Sequence, residues 1–111
     1  MFEKDTANLL LIVDSCQKIQ KFVATIADAD VFFEDNKTFD AVLMNFVIIG
    51  ESVNRLSNEF KTATPHIHWN KIKALRNLVA HDYLGVDAEE IWQIIQNQIP
   101  VLLTDITLLL D

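Results

Sequence analysis

Helix-breaking residues are scarce in this chain, because glycine and proline occur only twice each among 111 residues. Their scarcity excludes a turn-rich fold and a long flexible linker. The single cysteine, Cys16, excludes an internal disulfide, and the default compartment for such a chain is the reducing cytoplasm. The longest apolar runs, 9–13 and 108–110, are far too short to cross a bilayer. We therefore expect a cytoplasmic protein without a membrane partner.

Positive charge is also in short supply. Nine basic residues face sixteen acidic ones, which gives a formal net charge of −7. This balance argues against a broad nucleic-acid-binding surface, since such surfaces are usually basic. A small phosphate site remains possible, because Lys61, Lys71, Lys73 and Arg76 fall in one segment. Lys73 and Arg76 are three residues apart and share one side of a helix.

The hydrophobic pattern predicts an all-α fold in a single domain, 1–111. In the first segment, from about Asp5 to Ile26, apolar residues alternate at spacings of three and four: Leu9, Ile12, Cys16, Ile19, Val23 and Ile26. In the second, the same spacing links Phe39, Val42, Phe46, Ile49, Val53, Leu56 and Phe60. Such spacing is typical of helices that pack lengthwise. Thr38 is expected to cap the second helix, and Gly50 inside it indicates a close approach of another helix.

The polar segments 28–37 and 61–68 are predicted to be loops, the second of them marked by Pro65. His66 and His68 form an H-x-H pair in this second loop. No third ligand is spaced nearby, and no cysteine is available, so we predict no metal site.

Two further helices follow. The third is expected to run from Trp69 to about Tyr83, with Gly85 available for a left-handed turn at its end. The fourth is expected to start at Asp87, in the cap position of a capping box. Pro100 falls within it and is predicted to bend this helix rather than divide it.

Short loops place sequential helices side by side, which predicts an up-down antiparallel four-helix bundle. Several apolar residues lie off the main stripes of the first and fourth helices: Leu10, Leu11, Val13, Val101, Leu103, Leu108 and Leu110. One small bundle cannot cover all of them. The sequence therefore predicts a homodimer.

The chemistry is concentrated in the run from Arg76 to Tyr83. Arg76 supplies a planar cation suited to phosphate, and His81 can exchange a proton near neutral pH. Asn77 and His81 are neighbours on a helix, whereas Arg76 and His81 are separated by about 140° around its axis. Arg76 and His81 can therefore meet at one phosphate only if the helix distorts or if a second chain completes the site.

A metal-independent cleavage of RNA fits these residues. The 2′-OH of RNA can attack the adjacent phosphorus, while an imidazole removes its proton or protonates the leaving 5′-oxygen. Such proton transfer by a side chain typically raises the reaction rate by roughly 10²–10⁴-fold. Arg76 would hold the phosphate and stabilise its growing charge. The chain offers no convincing carboxylate cluster for Mg²⁺. A purely structural interpretation also stays open. In it, Arg76 forms an ion pair with a nearby acid, Asn77 and His81 form an ordinary hydrogen bond at the surface, and the ring of Tyr83 covers the core.

The run Arg76-Asn77-x-x-x-His81-x-Tyr83 resembles the R-x-x-x-x-H-x-Y motif of HEPN ribonuclease domains, and the chain as a whole is similar to HepT-type toxins. The wider agreement lies in these segments: 40–42, 48–51, 55–57, Trp69, 74–77, 85–87 and 91–92. It covers nearly the whole chain.

The resemblance implies a homodimeric endoribonuclease toxin that needs no metal or cofactor and acts on RNA rather than DNA. Arg76 and His81 take its catalytic positions, Asn77 and Asp82 its supporting positions, and Lys73 is expected to bind RNA phosphate. It further implies a minimal nucleotidyltransferase antitoxin that adds AMP to Tyr83.

An alternative of a different class is a non-catalytic HEPN binding module that serves as a partner or substrate-binding subunit of a nucleotidyltransferase. The acidic net charge favours it. Glu51, in the middle of an apolar helix, is either an inward partner of Arg76 or Arg55, or a solvated surface acid.

Overall fold

A computed structural model describes residues 3–111, without the side chains of residues 82 and 83. Every regular element within that range is helical. The helices are α1 (Glu3–Val23), α2 (Ala29–Glu34), α3 (Asn36–Arg55), α4 (Asn58–Ala63), α5 (Trp69–Asp82), α6 (Ala88–Asn97) and α7 (Ile99–Leu110), with a 3-10 turn at Tyr83–Gly85. The all-α prediction is confirmed, whereas the four-helix count and the homodimer stay predictions.

The core forms along α3, which packs against α1 on one side and α5 on another, while α7 covers α1. The seam predicted for the first helix is buried at Leu9, Ile12, Cys16, Ile19 and Val23. On α3 the buried seam comprises Val42, Phe46, Ile49 and Val53. The spacing of three and four therefore identified the core faces of both helices. Burial also raises the pKa of the Cys16 thiol to about 12, so this cysteine behaves as a core hydrophobe.

The segment 28–37 is not a loop throughout, as the sequence predicted, because α2 lies within it. Asp28 caps α2 by accepting a hydrogen bond from the Val31 amide, and Phe32 is fully buried against the core. The predicted cap of the next helix was also wrong. Asp35, not Thr38, occupies that position and accepts hydrogen bonds from both the backbone amide and the hydroxyl of Thr38.

The second predicted helix does not continue to Phe60, since α3 ends at Arg55 and Ser57 caps a separate helix, α4. The cause lies outside the local sequence. Asp5, buried at the start of α1, accepts hydrogen bonds from the Ser57 amide (2.7 Å) and hydroxyl (2.8 Å). These bonds hold residue 57 in an extended conformation between the two helices.

Two predicted helix ends also differ from the structure. No described glycine has a positive φ, so Gly85 does not form a left-handed turn, and a 3-10 turn follows α5 instead. Pro100 does not lie within one bent helix. The chain divides at Gln98 into α6 and α7, and the proline takes a first-turn position of α7, where its missing N–H costs no helical hydrogen bond. The cap at Asp87 is present, accepting from the Glu89 and Glu90 amides.

Apolar side chains remain exposed on α1 and α7, among them Leu10, Leu11, Val101 and Leu108. Val13, Leu103 and Leu110 are half-buried. The apolar excess that predicted a second copy is therefore present on the surface of one chain. Within residues 3–111, none of the helices combines the length and apolar character that a bilayer crossing requires.

Candidate active site

Helix α5 carries the motif and is fixed at its start and along one face. The Trp69 indole donates a hydrogen bond to the Thr64 hydroxyl (2.9 Å), and both residues are buried. Leu75 and Val79 pack into the core. The opposite face of the helix, which carries Lys73 and other polar residues, is consequently turned to solvent.

Gly50 allows α5 to approach α3 closely at the level of the motif. A Cβ at residue 50 would overlap the Cβ of Arg76 and would lie 3.0 Å from the backbone oxygen of Lys73. The close approach expected from a glycine inside this helix is confirmed. It brings the next residue of α3, Glu51, within reach of Arg76.

The guanidinium of Arg76 is held by two neighbours. Its Nε donates to Glu51 Oε1 at 2.9 Å, and its Nη1 donates to Asn77 Oδ1 at 3.2 Å. The Arg76 and Glu51 side chains are 43% and 40% exposed, so the ion pair lies at the surface and adds little to the free energy of unfolding. Its main effect is to orient the guanidinium, which keeps further N–H donors for a ligand.

A cavity of about 260 Å³ lies over this pair, and we call it the Arg76 cavity. It is lined by Gly50, Glu51, Asn54, Lys73, Arg76 and Asn77. Three of the predicted site residues (Lys73, Arg76 and Asn77) are thus brought together. Asn54 was missed, although its position four residues after Gly50 places it on the same face of α3 and could have indicated it.

His81 does not line the Arg76 cavity. It is exposed in the last turn of α5, and Asn77 contacts Arg76 rather than His81 among the described hydrogen bonds. The side chains of Asp82 and Tyr83, predicted to support catalysis and to accept AMP, lie outside the described residues. One chain therefore presents the predicted cation and the predicted imidazole at different places on the same helix.

The described residues hold no group of three or more His, Cys, Asp or Glu side chains arranged to bind a metal ion. His66 and His68 are both exposed. Among the described residues that line the Arg76 cavity, the side-chain groups that can bind an anion are the Lys73 ammonium, the Arg76 guanidinium and the amides of Asn54 and Asn77. This arrangement can bind and polarise a phosphate.

Comparison with known proteins identifies the family of this chain. The family model "Ribonuclease HepT-like" matches residues 12–108, so the chain belongs to the HepT-like ribonuclease family. It is similar to a probable ribonuclease HepT of Thermococcus cleftensis, with 34% identity over 82% of each chain.

Two further relatives have names that contain the term RNase. The one from Caldanaerobacter subterraneus subsp. tengcongensis is 32% identical over 82% of this chain and 80% of its own. The one from Methanocaldococcus jannaschii is 37% identical over 64% of this chain and 59% of its own. No solved structure matches the chain.

Proposed function

We propose that this protein is a metal-independent endoribonuclease whose active site is completed by a second copy of the chain. The observation that carries the proposal is the Arg76 guanidinium, oriented by Glu51 and Asn77 at an open cavity with Lys73 beside it. Membership of a ribonuclease family supports RNA as the substrate. The separation of His81 from this cavity supports a site shared between chains.

The proposed reaction uses the 2′-OH of the substrate itself. One His81 imidazole removes the 2′-OH proton, and the oxygen attacks phosphorus to give a 2′,3′-cyclic phosphate. The leaving 5′-oxygen takes a proton from the His81 of the second copy and departs as a 5′-OH. Arg76 binds the non-bridging oxygens, where charge accumulates in the transition state.

Cleavage of a mixed RNA pool in EDTA tests the proposal, with wild type compared with His81→Ala. We expect cutting in chelator that ends in cyclic phosphate, and a loss of at least roughly 10²-fold in the variant. His66→Ala, which removes an exposed histidine from the loop after α4, is the matched control and should cut normally. Absence of cutting by wild type whose Tyr83 is unmodified by intact mass would count against the enzyme.

We also propose that the protein is the toxin of a toxin–antitoxin pair and that a minimal nucleotidyltransferase antitoxin transfers AMP from ATP to the Tyr83 oxygen, releasing pyrophosphate. An adenylate two residues from His81 would bring a bulky anion next to the phosphate-binding cations and compete with RNA. Incubation with the antitoxin and ATP should add the mass of one adenylate to wild type and nothing to Tyr83→Phe. Addition to both proteins would place the modification elsewhere.

A non-catalytic binding module is the second candidate, and the net charge of −7 favours it. In that role the chain would bind a nucleotidyltransferase through its surface, and His81 would be dispensable. Co-purification with the nucleotidyltransferase that survives His81→Ala, together with no RNA cleavage, is the result that would select this function.

A further inference from the structure

A polar stripe runs along the solvent side of α5, past the Arg76 cavity and towards both ends of the helix. Asn70, Lys73, Asn77 and His81 are all exposed. Their spacing places them within an arc of about 80° around the helix and over roughly 16 Å of its length. The stripe therefore forms a continuous line from the predicted imidazole to the start of α5.

A second cavity, of about 510 Å³, lies at that start, and we call it the Lys61 cavity. Its polar lining consists of Lys61, Thr62, His68, Asn70 and Lys71. Asn70 belongs to both the stripe and this cavity, so the two features are continuous. None of the described side chains that line it has a carboxylate group.

The two cavities are also coupled electrostatically. Partial burial lowers the pKa of Lys61, the charge of Lys73 lowers it further, and Asp5 acts in the opposite direction. Neither Lys61 nor Lys73 forms an ion pair in the part of the chain that the structure describes. Two neighbouring cations without an ion-pair partner raise the local positive potential, which favours the binding of an anion beside them.

We propose that the polar stripe of α5 and the Lys61 cavity form a track for single-stranded RNA, in which Lys61 and Asn70 bind a phosphate that flanks the phosphate held by Arg76. The inference rests on the proposed function, since it takes RNA as the substrate. It assigns a role to Lys61, Asn70 and the start of α5 that the R-x-x-x-x-H-x-Y motif does not contain. RNA is favoured over an acidic protein because the track leads directly to the predicted scissile phosphate.

The test measures binding separately from cleavage. A fluorescent single-stranded RNA with 2′-O-methyl groups cannot be cut by 2′-OH attack, so its anisotropy reports affinity alone. Wild type, Lys61→Gln and Asn70→Asp are titrated over a series of salt concentrations. Lys37→Gln, an exposed lysine in the first turn of α3, is the control for loss of one charge. Thermal melting checks that each variant is folded.

We expect Lys61→Gln to weaken binding roughly three- to tenfold at low salt and to reduce the slope of log affinity against log salt by about 0.7, as for one lost phosphate contact on a single strand. Asn70→Asp should weaken binding at least as much. Lys61→Gln behaving like Lys37→Gln would overturn the proposal, and so would Lys61-dependent binding of polyglutamate tighter than that of RNA. Lys61-dependent binding of this RNA, together with no cleavage of unmodified RNA in EDTA, would support the track and reject the proposed catalysis.

Discussion

At the scale of single residues, the guanidinium of Arg76 is oriented before a substrate arrives. Glu51 and Asn77 each take one of its donors, at 2.9 and 3.2 Å. The carboxylate also opposes a bound phosphate, since both carry negative charge. A cation held in this way attracts an anion less strongly, but its geometry is fixed before the anion binds.

Glu51→Gln tests whether that geometry matters. The variant keeps the size of the side chain but removes the charge that fixes Arg76, so we expect kcat/KM for RNA cleavage to fall roughly three- to tenfold. Stability should change by less than about 1 kcal/mol, because the pair is half exposed. Glu59→Gln, at an exposed acid on α4, is the control. Unchanged or faster cleavage by Glu51→Gln would contradict a positioning role.

Cys16 gives a prediction on pH. Burial raises its pKa to about 12, above the ordinary thiol value of 9.0, because the core disfavours the thiolate. The folded state therefore retains the thiol proton more strongly than the unfolded state, and the resulting stability is present below pH 9 and is lost as the pH rises towards 12. Urea unfolding between about pH 8 and 11 should show this decline in wild type and a shallower one in Cys16→Ala. Equal declines would contradict it.

At the scale of elements, the approach of α5 to α3 depends on the missing side chain of Gly50. The neighbouring atoms are the Arg76 Cβ and the backbone of α5, which cannot move aside as a flexible side chain can. The site and the fold are therefore coupled at this position.

Gly50→Ala should destabilise the protein by about 1–3 kcal/mol, despite the better helix propensity of alanine, because α5 must shift outward. Urea unfolding measures the loss. Gly85→Ala, at an exposed glycine without positive φ, should change the free energy of unfolding by less than about 0.5 kcal/mol. A Gly50→Ala protein as stable as wild type would show that the close approach is not required.

The junction between α3 and α4 depends on a residue from another helix. Asp5 is completely buried and binds the Ser57 amide and hydroxyl, so it determines where α3 ends. Asp5→Ala should lower the free energy of unfolding by about 1.5–3 kcal/mol, because two partly buried donors of Ser57 lose their carboxylate acceptor. Asp14→Ala, which breaks an exposed pair with Lys18, should cost less than about 1 kcal/mol. Equal effects in urea unfolding would contradict this role.

At the scale of the whole molecule, the acidic net charge and the basic site coexist because four of the nine basic residues lie on α4 and α5. The exposed apolar residues of α1 and α7 lie on other helices than the motif. The apolar surface and the proposed site therefore lie on different helices. Whether a second copy contributes to the proposed site needs its own experiment.

Mixed dimers provide this test. His81→Ala is expected to be inactive, and a dimer of one wild-type and one His81→Ala subunit holds only one of the two imidazoles that the proposed reaction uses. Mixing equal amounts of wild type and His81→Ala after partial unfolding should therefore leave roughly a quarter of wild-type activity, because only a quarter of the dimers keep both imidazoles. Roughly half of the activity, with mixed dimers verified by mass, would show that each chain cuts with its own His81 alone.

The sequence by itself determined the all-α class, the core faces of α1 and α3, and the chemistry of α5, because helical spacing and residue type are local properties. It also indicated the close approach at Gly50. It did not predict α2, because one buried aromatic, Phe32, stabilises that short helix only through tertiary contact.

The tertiary structure decided the remaining features. The break at Ser57 depends on Asp5, which lies 52 residues away in the chain. The choice of Glu51 as the partner of Arg76 required the packing of α3 on α5. Asn54 lines the Arg76 cavity, and Lys61 lines the Lys61 cavity, only because the helices pack against one another in this way. Contacts between distant segments depend on how helices pack, and no local pattern of residues encodes that geometry.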